Sequence, residues 1–266
     1  MSTTCRALIL ARGLGRRMRE AASDVGLEST QAAAADAGLK AMIPFGRPFL
    51  DYVLHSLAEA GVDEVALVLG PEHEQVREYY RQLHTTRISV AFVEQRNPLG
   101  TADAVLSGRD WAAHGSFLVL NADNLYPVDV LEMLVSGIDP ALPGFERDSL
   151  EMALERIGTF ALLDRADDGS LRRIDEKPGT AAVHAAGPAA LISMNVWRFD
   201  ERIFEACRDV PLSSRGEREL PQAVGLAVSR GVRFEVFPVR GTVLDLSKRE
   251  DIPRVADALQ GMDVTL

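Results

Sequence analysis

Four arginines, Arg12, Arg16, Arg17 and Arg19, fall within eight residues of a chain whose formal net charge is -10. They surround the glycines of Leu10-Ala11-Arg12-Gly13-Leu14-Gly15-Arg16-Arg17-Met18. Glycines let backbone N–H groups approach an anion closely and arginines neutralise its charge, so the run reads as a phosphate-binding turn. A basic surface turn is the plain alternative. A dinucleotide fingerprint would need a third glycine where Met18 stands, and a P-loop would need a Gly-Lys pair, which the chain lacks. Lys40 lies in the apolar stretch Gly38 to Pro48, where a lysine either snorkels or holds phosphate oxygens. Asp123 closes Val119-Leu120-Asn121-Ala122-Asp123-Asn124. A carboxylate at the end of a buried strand needs a partner, either a divalent cation or the start of a turn or helix.

Further candidates are spread along the chain. In Glu94 to Ala104, the Gln95 amide can donate to and accept from a base edge, and Gly100 lets a base lie close to the backbone. Thr101 is expected to cap the helix that follows, with Asp103 in its first turn. In Ile174-Asp175-Glu176-Lys177-Pro178, the proline biases Lys177 toward extended backbone, which would send two charged side chains in opposite directions. Arg215 and Glu219 belong to a charged loop before a helix. Asp245 follows a strand-like run and precedes a helix, with Ser247 as an alternative cap.

These residues need elements to position them, and strand and helix patterns alternate. Strands are predicted over Cys5–Ala11, Val65–Leu69, Ile88–Val93 and Phe117–Leu120, with helices over Phe49–Ala60, Glu72–Leu83 and Thr101–Arg109. The rhythm indicates a mostly parallel, mixed central sheet covered on both faces, a Rossmann-like three-layer α/β/α class, with sites outside the carboxyl ends of strands. The second half predicts a hairpin turning at Asp167-Asp168-Gly169-Ser170, a strand over Leu191–Phe199, a helix over Leu220–Ser229, a strand over Phe234–Pro238 and a closing helix over Ile252–Leu259. Ala21–Gly38 is either a short surface helix or a flap beside the arginines. Without a clear linker, residues 1–266 are expected to form one domain, about 1–135 serving the nucleotide and about 136–266 the acceptor.

Composition narrows the function classes. A 47% hydrophobic and 26% charged chain is ordinary for a soluble protein. The acidic balance disfavours a nucleic-acid surface, and no apolar run reaches a membrane span. Two cysteines, Cys5 and Cys207, cannot build a disulfide framework. A reduced, cytoplasmic setting is expected, with Cys5 in the core of the first strand.

The order of the glycine turn, Arg17-Met18, Lys40, Pro44 and Pro48-Phe49-Leu50-Asp51-Tyr52 resembles the sugar-phosphate nucleotidyltransferases, from about Cys5 to Ile252. The resemblance implies magnesium-dependent transfer of NMP from an NTP to a sugar phosphate, or to a sugar-like phosphate such as a cyclitol phosphate, with release of pyrophosphate. It implies that Ala11, Gly13, Gly15, Gln95, Gly100 and Thr101 hold the nucleotide, while Arg17 and Lys40 contact its phosphates. Asp123 and Asp245 would hold Mg2+. Glu176, Asn195, Arg215 and Glu219 would bind the acceptor, and Lys177 its phosphate. Homo-oligomers are frequent in that family. Arg12 and Arg16 stand where the family usually has small residues. A nucleotide-sensing protein that keeps the fold without catalysis is the competing class.

Overall fold

A computed structural model describes residues 5–13, 15–20, 26–112, 115–137 and 139–266. Its strands are β1 (Arg6–Leu10), β2 (Pro44–Phe45), β3 (Arg47–Pro48), β4 (Glu64–Leu69), β5 (Ser89–Glu94), β6 (Phe117–Asn121) and β7 (Asn124–Leu125). These are followed by β8 (Ala141–Glu146), β9 (Ala161–Arg165), β10 (Leu171–Glu176), β11 (Leu191–Ser193), β12 (Val196–Phe199), β13 (Glu235–Val239) and β14 (Leu244–Asp245).

The central sheet runs β10-β9-β11-β8-β12-β6-β1-β4-β5, with β13 beside β8. Strands β1, β4, β5 and β6 are mutually parallel, and β8, β9 and β13 share their direction. Only β10, β11 and β12 run against them among the described residues. The sheet is therefore mixed and mostly parallel.

Alternation along buried strands sends side chains to two cores. Ala7, Ile9, Leu118 and Leu120 join one cluster with Leu54, Leu131 and Val255, residues of the helices Phe49–Glu59, Val128–Ser136 and Asp251–Leu259. Leu8, Phe117 and Val119 join the other with Val105, Phe204 and Val224, from the helices Thr101–Ser107, Arg202–Asp209 and Leu220–Ser229. This is the expected three-layer arrangement. No helix among the described residues is long and apolar enough to cross a membrane.

Several expectations need correction. Leu191–Phe199 is not one strand: Asn195, at φ 61°, breaks it into β11 and β12, which pair with different neighbours. Strand β8 has no sequence forecast, because Pro143 and Gly144 disguise a buried strand. The helix expected over Glu72–Leu83 spans Glu74–Gln82 and buries Val76, Arg77 and Tyr80. Cys5 precedes β1 and is only partly buried. Within Ala21–Gly38, Ser29–Asp36 is helical, while residues 21–25 lie outside the described part.

Candidate active site

Four parallel strands end on one rim, and the chain after each supplies the walls of a cavity of about 400 Å³. After β1 come Ala11, Arg12, Gly13, Gly15, Arg16 and Arg17; after β4, His73; after β5, Gln95, Gly100 and Thr101; after β6, Asp123. Lys40 joins them from the turn that precedes β2, and Arg215, Glu217 and Glu219 also line the cavity. The fold thus gathers every nucleotide-side candidate into one space.

The glycine turn owes its shape to close packing as well as to chain freedom. Gly15 sits at φ 58°, and a Cβ there would lie 2.3 Å from the Gly38 carbonyl oxygen. The turn therefore packs directly against the segment that leads to Lys40. Lys40 Nζ donates to Asp123 Oδ2 at 2.7 Å, with the side chains 16% and 22% exposed. Lys40 is anchored by a carboxylate rather than merely snorkelling, and Asp123 finds its partner in this lysine. Arg17 is exposed on the cavity rim.

The Arg12 side chain is 8% exposed. Its guanidinium donates to both Glu72 oxygens, at 3.1 and 3.3 Å, and to the Gln95 carbonyl. Beside it, His73 Nδ1 accepts from the Gly70 N–H at 3.1 Å, and burial pulls the imidazole below its ordinary value. Gln95 is 3% exposed, and its amide nitrogen donates to the Gly100 carbonyl at 3.1 Å and to Asp103 Oδ2 at 2.8 Å. Gly100, at φ 106°, is needed for a protein contact: a Cβ would lie 2.4 Å from the Arg218 carbonyl oxygen. That contact ties two loops together, with Arg218 N–H donating to Leu99 O at 2.7 Å and Ala102 N–H to Arg218 O at 2.9 Å. Thr101 does not cap its helix. Its hydroxyl accepts from the Leu220 N–H at 2.8 Å and completes the tie.

The late aspartate arrives by backbone pairing. In the β7–β14 ribbon Asp245 lies opposite Asn124, and the Leu246 N–H donates to the Asp123 carbonyl at 2.9 Å. The backbones of Asp123 and Asp245 are therefore neighbours. Their carboxylates pair with different cations. Asp245 Oδ1 accepts from Asn124 at 3.2 Å and from Ser247 at 2.9 Å, while Oδ2 pairs with Arg156. The side chain is 7% exposed and does not line the cavity. Asp245 is not a helix start, because the next helix begins at Asp251, whose carboxylate accepts the Ser247 and Lys248 N–H groups. Arg156 was not a sequence candidate. Burial lowers its pKa, as does nearby Arg17, while Asp251 and Asp123 oppose the shift.

The acceptor-side candidates form a second group. Lys177 Nζ lies 2.9 Å from Glu176 and 4.0 Å from Glu219. Glu219 is buried and pairs with Arg215. Because Arg215 and Glu219 also line the cavity, this loop joins the two groups. Glu176, Lys177 and Asn195 do not line that cavity. Lys177 is not extended: it adopts φ 50°, with its N–H held by Phe160 O at 3.1 Å, so tertiary contact overrides the bias of Pro178. Asn195 shares this left-handed conformation. Such backbone is costly for residues other than glycine and clusters at functional sites.

The nucleotidyl transferase family model matches residues 35–259, and this chain belongs to that family. A low-salt glycan biosynthesis nucleotidyltransferase of Haloferax volcanii is 28% identical over 81% of this chain and 58% of its own length. A glucose-1-phosphate thymidylyltransferase of Streptomyces antibioticus is 26% identical over 94% of this chain and 65% of its own. The chain thus spans less than two thirds of either curated relative. Among solved structures, a UDP-glucose pyrophosphorylase complexed with UDP-glucose matches with a TM-score of 0.75 at 19% identity, over 96% of this chain and 98% of that one. That likeness shows the fold.

Proposed function

We propose that this protein transfers the nucleoside monophosphate of an NTP to a phosphorylated sugar, or sugar-like molecule, and releases pyrophosphate. The observation that carries the reading is the convergence of a glycine turn, Arg17, Lys40, Gln95 and Asp123 on one cavity. Family membership and the relatives' names support the same chemistry.

Two anions must meet in this reaction. Unit charges 4 Å apart interact by about 4 kcal/mol at an effective dielectric near 20, so cations must offset their repulsion. Arg17 and Lys40 would carry the NTP phosphates, with the Gly13–Gly15 turn leaving room for them. Lys177 would hold the acceptor phosphate, with Glu176 and Asn195 on the acceptor's hydroxyls. Glu219, which lines the cavity and lies 4.0 Å from Lys177, would with its partner Arg215 fix their separation. An acceptor phosphate oxygen attacks the α-phosphorus, a P–O bond forms, and the bond to the β-phosphate oxygen breaks with its electrons on pyrophosphate. The attacking oxygen is already ionised near neutral pH, so the protein positions and stabilises charge rather than moving a proton.

Magnesium would supply Lewis-acid stabilisation of the triphosphate when bound. The donor set fits it: Asp123 and Asp245 offer hard carboxylate oxygens from neighbouring backbone rows, each already balanced by a cation. Asp123 faces the cavity and Asp245 does not. An ion held through both carboxylates would compete with Lys40 and Arg156 for them.

The test is pyrophosphate release from each common NTP against a panel of sugar and cyclitol phosphates, with and without Mg2+. Turnover with at least one pair is expected. Nucleotide binding without turnover across the panel would favour a non-catalytic sensor instead.

A further inference from the structure

The glycine turn runs into a single helical turn, Arg16–Arg19, and Lys40 follows the helix Ser29–Asp36. Neither segment is held by much apolar burial. One turn cannot stabilise itself, because nucleation costs more than one hydrogen bond returns. It buries only Met18, and the longer helix buries only Gln31 and Ala35. Polar and backbone ties hold both instead. Arg19 Nη2 donates to Ala37 O at 2.8 Å, Gln31 Nε2 donates to Pro44 O at 3.0 Å, and Gly15 packs directly on Gly38.

Arg249 joins both segments to a third. Its Nε donates to Met18 O at 2.8 Å, a carbonyl in a last helical turn, where intrahelical partners run out. Its Nη2 pairs with Asp36. The Arg249 side chain is 11% exposed, and its planar fork suits two acceptors at a fixed spacing. Arg249 stands on a fixed base. The Asp251 carboxylate accepts the Ser247 and Lys248 N–H groups, and the Ile252 N–H donates to Arg249 O at 3.1 Å. That base is the loop that follows Asp245 of the β7–β14 ribbon. One guanidinium thus links the residue after Arg17, the helix before Lys40 and the loop after Asp245.

We propose that Arg249 is a positioning residue for the NTP: it sets the spacing of the Arg17 and Lys40 cations and their placement against the Asp123–Asp245 ribbon. This rests on the reading above that Arg17 and Lys40 carry the NTP phosphates. Arg249 does not line the cavity, so it acts through the segments it holds. Displacing a gripping group by about 1 Å costs up to about a hundredfold. Among the described residues Arg249 makes no hydrogen bond to Lys177, Glu176 or the Arg215–Glu219 loop. Acceptor binding should therefore be spared.

The test uses the full chain, Arg249→Ala, Arg249→Lys, Asp36→Ala and the double variant of Arg249→Ala with Asp36→Ala. Calorimetry gives dissociation constants for UTP, dTTP, GTP, ATP and CTP. Pyrophosphate release gives KM for the preferred NTP and for its acceptor. Arg249→Ala should weaken that NTP about tenfold while acceptor KM moves less than about twofold. A lysine cannot span both acceptors, so Arg249→Lys should fall between. Asp36→Ala should weaken the NTP several-fold, and adding it to Arg249→Ala should cost little more, because both remove one link. Wild-type NTP affinity in Arg249→Ala overturns the proposal, as do equal rises in both KM values, which mark a general loss of structure. If Arg249→Ala does not fold, unchanged NTP affinity in both Arg249→Lys and Asp36→Ala overturns it. NTP binding that survives both Arg17→Ala and Lys40→Ala would overturn the reading on which this stands, whatever the Arg249 variants do.

Discussion

The Lys40–Asp123 pair joins two groups that face the same cavity, each 16–22% exposed. Both groups are part-buried at a cavity wall that a freed charge can leave for solvent, so losing the pair costs about 1–2 kcal/mol. Asp123→Ala is therefore expected to melt close to wild type while losing Mg2+-dependent turnover by about a hundredfold or more. Calorimetry and pyrophosphate release on one preparation check both halves, and near-normal turnover would remove Asp123 from the reaction. Lys177 stands outside the nucleotide cavity and beside Glu176 and Glu219. Lys177→Ala should raise KM for the acceptor phosphate much more than KM for the NTP. Equal rises would undo its assignment. His73 gives a pH signature. Burial depresses its pKa below the ordinary 6.5, and its Nδ1 must stay unprotonated to accept from Gly70. The unfolded chain takes up the proton first as pH falls. His73 thus contributes stability that is present above about pH 6.5 and lost as pH falls through its lowered folded-state value. Thermal melts from pH 8 to pH 5 should show this loss, and His73→Gln should flatten it.

Two loops make the site one object. The turn at Leu99–Gly100 and the loop ending at Glu219 exchange backbone bonds, and the Thr101 hydroxyl adds another. Gly100→Ala would place a Cβ against the Arg218 backbone at a φ of 106°, which is expected to cost about 1–3 kcal/mol. Denaturant melts measure that cost. Because Arg215 and Glu219 ride on the displaced loop, KM for the acceptor should rise as well, and an unchanged acceptor KM in a destabilised variant would uncouple the loops. The β7–β14 ribbon does similar work, bringing the backbones of two residues far apart in the chain side by side. Its Asp245 pairs with Arg156.

Across the whole molecule, the net charge of -10 would oppose an anionic substrate, while arginines and Lys40 line the cavity proposed to receive it. Five cationic side chains line the cavity against three carboxylates, Asp123, Glu217 and Glu219, and so small a local excess works at short range. Salt shortens the range of both, with a Debye length of about 10 Å at 0.1 M. The two cores flanking the sheet hold this arrangement rigid. Ile9 is fully buried in one of them, just before the glycine turn. Ile9→Ala is expected to cost about 2–5 kcal/mol, read as a lower denaturant midpoint.

The sequence by itself determined the layered fold of the first half, because buried strands and amphipathic helices write their periods into hydrophobic spacing. It also marked the glycine turn, Lys40, Gln95 and Asp123, whose residue types are conspicuous at strand ends. Strand β8, the break at Asn195 and the left-handed Lys177 were illegible, since each depends on a neighbour distant in the chain. So did the partners. Nothing local announces that Lys40 meets Asp123, that Arg156 takes Asp245, or that Asp103 accepts from Gln95. Spacing can propose a charged or polar side chain, but its partner is chosen by where the sheet order and loop ties bring other segments, and only the tertiary structure decides that.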